Sequence, residues 1–455
     1  MEINNKNKLN ILSPGKTLLS GGYLILEKSN RGLVINIDTY INCESSYIIN
    51  RKENINEKNA LLLFNIFSEY LNQQLNYLVS LEPINSEGYE IKISEKNNKD
   101  YKWIKNCIIS SLNIYLSQFN YFDKLLNEKD QLEININIKS DYRFYSYSKD
   151  KVSNIIKTGL GSSSALINSL TTSLIFIYDN YFRNKKYPNN NFVRNIEDKD
   201  ITAIILGSCL LSNNFSQNKI GSCFDIISSL FGSQIFIQTQ QNLILNSPLN
   251  INKENKSKVN NFKEYLKEDY IPNIKYFEDC SKNKILFISL EIGTDTRNFV
   301  KKVLEYANNK KTNKLFDDEL FSELNKINEK IIELFLSGLN KDDALLLKEF
   351  CEKYRAIIRK ISEESKVEIE PKILTPLLNE LIEDSNIIYA NCPGAGGYDS
   401  IVIIAKENVE ESILIKDINN IIRKFNIKNK DNILNIKANL LDANIPKYPG
   451  TIIQS

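Results

Sequence analysis

Sixteen glycines serve 455 residues, and ten of them fall in four short stretches. These are Ser13–Leu26 (SPGKTLLSGGYLIL), Lys157–Ala165 (KTGLGSSSA), Gln217–Ser233 (QNKIGSCFDIISSLFGS) and Pro393–Asp399 (PGAGGYD). They carry Gly15, Gly21, Gly22, Gly159, Gly161, Gly221, Gly232, Gly394, Gly396 and Gly397. A chain this sparing with glycine keeps it where the backbone needs positive φ or approaches another group closely. Three of the four clusters run into apolar segments, which points to a phosphate-handling site assembled from distant parts of the chain.

The length exceeds one ordinary core, so two domains are expected: residues 1–270, ending in a connector over 241–282, and residues 271–455. An apolar share of 42% and a charged share of 25% describe a soluble globular protein. The net charge of +2 offers no broad field for nucleic acid or a membrane. Seven scattered cysteines with no C-x-x-C pair argue for a reducing, cytoplasmic compartment and against structural zinc or a disulfide frame. Histidine is absent, which excludes Ser-His-Asp and Cys-His systems, H-E-x-x-H zinc sites and any histidine base. The start, MEINNKNKLN, has no apolar run and is not a secretory signal. Gly159–Tyr178 carries no charge over twenty residues, but ten of them are Gly, Ser, Thr or Asn, so it reads as a buried helix rather than a membrane span.

Residues 9–50 alternate like strands, and so does QLEININIKSD at 131–141. Residues 59–80 and 101–119 read as helices. Another helix opens at the 159–165 loop, with Leu166, Ile167, Leu170, Leu174 and Ile177 on one face. Arg183–Asn195 reads as a surface loop, and a helix should follow Asp225, then a strand QIFIQ. The remainder starts at a strand over 285–293 and has helical patterns at 315–337 and 342–364. A strand–loop–strand unit around PGAGGYD follows, then a helix near 409–425 and a strand.

Known phosphate loops can be tested against these stretches. A Walker A loop needs glycine six residues before its lysine, where Lys16 has Asn10; a Rossmann fingerprint needs a third glycine where Ser164 stands. What remains is a Gly-x-Gly-Ser-Ser loop running into a helix, whose unpaired N–H groups and positive dipole end suit a polyphosphate. The competing explanation is a serine N-cap after a glycine turn. Lys16 fits a buried phosphate-binding cation or an edge lysine, and Asp225 fits an active-site carboxylate or a helix cap. Three glycines in four residues at PGAGGYD exceed what a hairpin turn needs.

In this order the four segments resemble the GHMP kinases, and among them the eukaryotic phosphomevalonate-kinase group. Gly21-Gly22-Tyr23 replaces the G-E-H or G-E-Y of relatives, Lys157-Thr158 precedes the ATP loop, and KIGSCFDIISSLFGS resembles the G-K-I-G-S-G-F-D signature. PGAGGYD, YRAIIRKISEESKVEIEPKILTPLL (354–378) and TRNFVKKVLEY (296–306) also resemble this group. The resemblance implies an α+β fold, with an N-terminal ribosomal-protein-S5-like domain, a C-terminal ferredoxin-like domain and ligands in the cleft between them. It implies transfer of phosphate from ATP to 5-phosphomevalonate, with Mg2+, in the mevalonate route.

The same resemblance assigns roles. Lys157, Thr158, Gly159, Leu160, Gly161, Ser162, Ser163 and Ser164 would bind ATP, with Ser163 the magnesium ligand. Lys16 and Asp225 would be catalytic. Ser20, Tyr23, Lys219, Ser222, Gly394, Ala395, Gly396 and Gly397 would meet the acceptor. The chain departs from the pattern at Cys223 and Asn218, where the signature has glycine. Asn213 replaces an upstream histidine, and only Asn213 and Asn214 stand near the place of the glutamate that completes the metal site in mevalonate kinases. The rival expectations are another GHMP small-molecule kinase, such as a mevalonate kinase, and a non-catalytic sensor on the same fold.

Acceptor chemistry accommodates the missing histidine. A phosphate monoester has a second pKa of about 6 and is mostly dianionic at neutral pH, so it needs no strong general base. The difficulty is repulsion between polyanions. Lys16, Lys219, a metal and two helix N-termini suit that task, with Asp225 orienting Lys16 or a metal-bound water.

Overall fold

The computed structural model describes residues 8–51, 60–83, 89–95, 101–121, 125, 130–147, 155–187, 191–218, 221–238, 256–258, 275–276, 283–290, 292, 294, 296–309, 319–339, 341–430, 438–441, 443 and 450–454. The first half opens with β1 (Leu9–Ser20), β2 (Arg31–Arg51), β3 (Ala60–Ser68), β4 (Gln73–Pro83) and β5 (Tyr89–Glu95). Then come α1 (Lys102–Phe119), β6 (Asp130–Ser140), a short hairpin of β7 (Tyr145–Tyr147) and β8 (Ile155–Lys157), and α2 (Ser162–Arg183). β9 (Asn191–Phe192), α3 (Lys199–Gln217), α4 (Phe224–Phe231) and β10 (Gln234–Ile237) follow, with β11 (Lys256–Lys258) and β12 (Lys275–Tyr276) beyond. The second half runs β13 (Lys284–Leu290), α5 (Thr296–Asn309), α6 (Glu319–Leu336), α7 (Lys341–Ser365), α8 (Thr375–Glu383), β14 (Ile387–Asn391), β15 (Ser400–Ala405), α9 (Glu411–Lys428) and β16 (Ala438–Leu441). A last strand, β17 (Ile452–Gln454), closes the description.

Two sheets organise these elements. The larger runs β11-β5-β4-β3-β6-β2-β1-β17-β9, with β10 on β2 and β12 on β10. Among the described strands of this sheet only β3 and β6 pair in parallel; the other pairs are antiparallel. The second sheet is antiparallel in the order β14-β15-β13-β16. With helices between β13 and β14 and between β15 and β16, that is the ferredoxin-like order expected from the resemblance.

Residues 59–80 are corrected from helix to two strands. Leu62, Phe64 and Ile66, then Leu75, Tyr77, Val79 and Leu81, are buried at every second position, with a turn at 69–72 in which Asn72 takes φ 47°. Leucine-rich runs of this kind satisfy helical spacing by chance, and the period-two burial decides. The loop expected over 183–195 also holds structure, since Asn191–Phe192 pairs with β17. Of the 241–282 connector, only Lys256–Lys258 and Lys275–Tyr276 are described, and both extend the first sheet.

α2 is the buried helix expected at Gly159–Tyr178. It lies on β1 and β2 and packs against α1, α3 and α4. Ile167, Leu170, Leu174 and Ile177 are buried, and so are Asn168, Ser169, Thr171, Thr172 and Ser173, so nearly every side meets protein. A helix covered all round has no place for a charged side chain, which explains its composition. Its first buried carboxylate, Asp179, is fully partnered by Arg183, Tyr115 and Tyr187. No helix among the described residues is long and apolar enough to cross a membrane.

Candidate active site

The phosphate-loop reading is decided by how α2 begins. Its N-cap is Gly161, in the left-handed region at φ 86°, and no side chain caps the helix. The serine N-cap is therefore not the structure observed. Ser164 instead donates its hydroxyl back to the Gly161 carbonyl at 2.8 Å, and the hydroxyl of half-buried Ser163 has no hydrogen-bond partner among the described residues. An uncapped first turn with a free hydroxyl is what a polyphosphate site requires.

Lys16 threads this loop. β1 bulges between Pro14 and Gly15, which re-aims the next side chain, and the Lys16 N–H donates to the Leu160 carbonyl at 2.9 Å. Asn36 steadies the bulge by donating to the carbonyls of Gly15 (3.3 Å) and Ser228 (3.1 Å). A Cβ at Gly161 would come within 2.9 Å of Lys16 Cε, so glycine there serves both the dihedral and the passage of the lysine. The ammonium lies 4.8 Å from the centre of the Phe224 ring. Burial lowers its pKa, while the charges of Asp225 and Asp399 hold it up.

Asp225 sits in the first turn of α4, whose N-cap is Cys223 at φ 61°. Asn218 ends α3 at φ 52°. Both residues replacing signature glycines thus occupy the left-handed conformation that glycine favours. Asparagine tolerates it, whereas the cysteine is an unusual occupant. α4 is tied to α2 through Asn168, which donates to the Ile226 carbonyl at 2.9 Å. Asn213 accepts from Gln217, and Asn214 Oδ1 lies 4.0 Å from the Cys223 thiol. No cluster of three or more His, Cys, Asp or Glu able to hold a metal occurs among the described residues.

PGAGGYD turns out to be a seam. Gly394 N–H donates to the Leu18 carbonyl at 2.9 Å, and Tyr23 donates its hydroxyl to the Ala395 carbonyl at 2.7 Å. Tyr389 donates to the Leu19 carbonyl at 2.8 Å, and Gly21 N–H to the Tyr354 hydroxyl at 3.1 Å. Gly397 N–H donates to the Ile369 carbonyl at 2.9 Å. The glycines let two backbones approach; any Cβ on Gly22 or Gly396 would overlap a carbonyl. Outside the turn, Arg31 donates to Glu329 at 2.7 Å and Asn328 to the Arg31 carbonyl at 2.8 Å.

Several expected ligand contacts are accordingly committed to protein. Tyr23 is buried with its hydroxyl on Ala395, and Thr158 is buried with its hydroxyl on the Arg143 carbonyl at 2.8 Å. Leu160 contributes through its backbone, and Lys157 stands exposed at the end of β8. Ser20 Oγ is buried without a partner, Ser162 is buried and Ser222 is half-buried. Lys219 lies outside the described residues. Asp399 was not foreseen: it stands against Gly159 and its charge reaches Lys16. The available signal was its place as the last residue of PGAGGYD.

This fold is the one that GHMP kinases share. The mevalonate kinase of Methanococcus jannaschii superposes with a TM-score of 0.51 at 16% identity over 97% of this chain and all of that one. The phosphomevalonate kinase of Streptococcus pneumoniae, in complex with phosphomevalonate and AMPPNP, gives 0.54 at 15% over 95% of this chain and 98% of that one. No family model matches the chain. Its sequence is similar to one kind of enzyme within the class: it is 25% identical to the phosphomevalonate kinase of Aspergillus fumigatus, over 87% of each chain.

Proposed function

We propose that this protein transfers the γ-phosphoryl group of ATP to 5-phosphomevalonate, giving 5-diphosphomevalonate and ADP in the mevalonate route to isoprenoids. The observation that carries this reading is Lys16, a half-buried cation threaded through an uncapped helix start and acted on by the charges of two carboxylates. In this reading residues 1–270 hold the nucleotide and residues 271–455 close the cleft. Six buried cysteine thiols suit a reducing compartment, the cytoplasm.

An oxygen of the acceptor phosphate attacks the γ-phosphorus of ATP as the bond from that phosphorus to the bridging β,γ-oxygen breaks, and the leaving charge stays on ADP. The acceptor is already dianionic at neutral pH, so no side chain has to remove a proton. The first-turn N–H groups of α2 bind the phosphate oxygens of ATP, and Lys16 offsets the charge spreading over the transferred group. The free Ser163 hydroxyl at the helix start, beside the committed Ser164, fits a magnesium ligand. Magnesium bound there would neutralise phosphate charge. Asp225 keeps Lys16 charged and oriented.

A coupled ADP-release assay with 5-phosphomevalonate, mevalonate and galactose tests the reading. Turnover is expected with the first alone; turnover with either other acceptor in its place would overturn it. Ser163→Ala is expected to raise the magnesium and ATP concentrations needed for half-maximal rate. Ser164→Ala is expected instead to lower stability by about 1 kcal/mol through the lost bond to Gly161. Titrations of metal and ATP, with denaturation curves, separate the two.

Asp225→Asn is expected to lower kcat/KM by a similar factor at every pH. The acid limb near pH ~6 follows the acceptor phosphate, so it should remain in the variant. Asp399, which burial pushes up to about 6, titrates in the same window and is also untouched. A pH profile in which the limb vanishes with Asp225 would make that carboxylate a general base.

A further inference from the structure

Asp399 ends the glycine-rich turn of the second half, yet its carboxylate rests on the phosphate loop of the first. A Cβ placed on Gly159 would lie 2.9 Å from Asp399 Cβ and 3.5 Å from its Oδ2. Behind it, Thr294 hydrogen-bonds the carboxylate through both its N–H and its hydroxyl. The same hydroxyl accepts the Tyr398 N–H at 2.6 Å, so turn and carboxylate share one brace. A carboxylate at a polyphosphate loop repels the nucleotide unless a cation intervenes. That cation is present in the chain itself, because the charges of Asp399, from the β14–β15 turn, and Asp225, from α4, both act on Lys16.

We propose that Asp399 is a positioning residue for phosphoryl transfer: jointly with Asp225 it holds the Lys16 ammonium at the phosphate loop, so the lysine is set only when the second half is docked on the first. This rests on the phosphotransferase reading of the site. Burial disfavours charge on both partners, pushing the Asp399 carboxyl up and the Lys16 ammonium down, and each keeps the other ionised. Phe224 supplies a third neighbour, its ring lying under the ammonium. The Leu290 N–H uses only the Asp399 carbonyl, at 3.2 Å, so an asparagine there keeps that bond and an amide oxygen for Thr294 while losing the charge.

The test is a double-mutant cycle on the full-length protein. Asp399→Asn is expected to lower kcat about 10–100-fold, as loss of a group that orients a reacting one does, with KM for ATP within about threefold. In a Lys16→Ala background the same change should cost less than about twofold further, because its target is gone. A second measurement needs no turnover: acylation of Lys16 by acetic anhydride at about pH 8, read by peptide mass spectrometry, should quicken in Asp399→Asn, since losing the anion lowers the ammonium pKa. Thr294→Val, which loosens the same carboxylate, should shift both readouts the same way by less. An undiminished loss in the Lys16→Ala background, a raised magnesium requirement, or unchanged Lys16 acylation would each overturn the proposal. If the wild type fails to transfer phosphate to phosphomevalonate, the phosphotransferase reading falls, while the acylation result still decides whether Asp399 governs Lys16.

Discussion

Lys16→Ala is expected to reduce kcat with ATP and 5-phosphomevalonate by about 10²–10³-fold, or about 3–4 kcal/mol, the usual cost of one preorganised electrostatic contact. Folding should survive. The lysine's backbone N–H, which ties β1 to Leu160, is kept by alanine, and its ammonium is disfavoured by burial in the first place. Lys16, Asp225 and Asp399 are each only half-buried, so water can serve the two carboxylates that the substitution leaves behind. The measurement is a pair: steady-state kinetics and a denaturation curve for wild type and variant. Near-normal turnover would remove Lys16 from the site, whereas loss of both activity and fold would make it a structural residue.

Glu370→Ala is expected to be the most destabilising single change considered, by about 3–5 kcal/mol, because it strands a buried arginine. Arg355 and Glu370 are buried and paired twice at 2.9 Å, Nε to Oε2 and Nη2 to Oε1. Asn379 accepts from Arg355 at 2.9 Å, and Thr375 and Arg359 donate to Glu370 at 3.0 and 3.1 Å. The ion pair holds the segment whose Ile369 carbonyl accepts Gly397 N–H and whose Glu368 accepts the Tyr398 hydroxyl at 2.9 Å. Activity should therefore fall along with stability. Replacing both partners, as Arg355→Met with Glu370→Leu, should recover much of the fold, since no charge is left unpaired. Urea denaturation of the three proteins checks this; a loss under about 1 kcal/mol for Glu370→Ala would show that the pair is dispensable.

Much of the backbone geometry of the candidate site was legible because glycine is scarce. Each cluster marked a real backbone requirement: Gly159 and Gly161 take positive φ at the loop, as do Gly394, Gly396 and Gly397 at the seam. The use of PGAGGYD was harder to read, since a turn lining a ligand and a turn pressed on another backbone both need glycine. Tyr23 shows the same limit: burial and a hydroxyl bond to a carbonyl 372 residues away leave no local pattern. Asp399 was missed for a related reason, since its partner Lys16 lies at the far end of the chain. In the second half the strands and helices α6, α7 and α9 were legible but α5 and α8 were not, and β3 and β4 of the first sheet read as helix because LLLFNIF fits either period. At 223, where the signature has glycine, the cysteine keeps the glycine conformation, which no sequence pattern discloses.

β17 sits between β1 and β9 in the first sheet, with Asn10 paired to Gln454 and its amide donating to that side chain at 3.1 Å. The polypeptide therefore leaves the first half after β10 and β12 and comes back to it after β16. A body held by a single linker swings freely, but one fastened at two points can only rock about the line that joins them. The strand that makes the second fastening lies directly beside the one that carries Lys16, the lysine that the charge of Asp399 reaches from the other half.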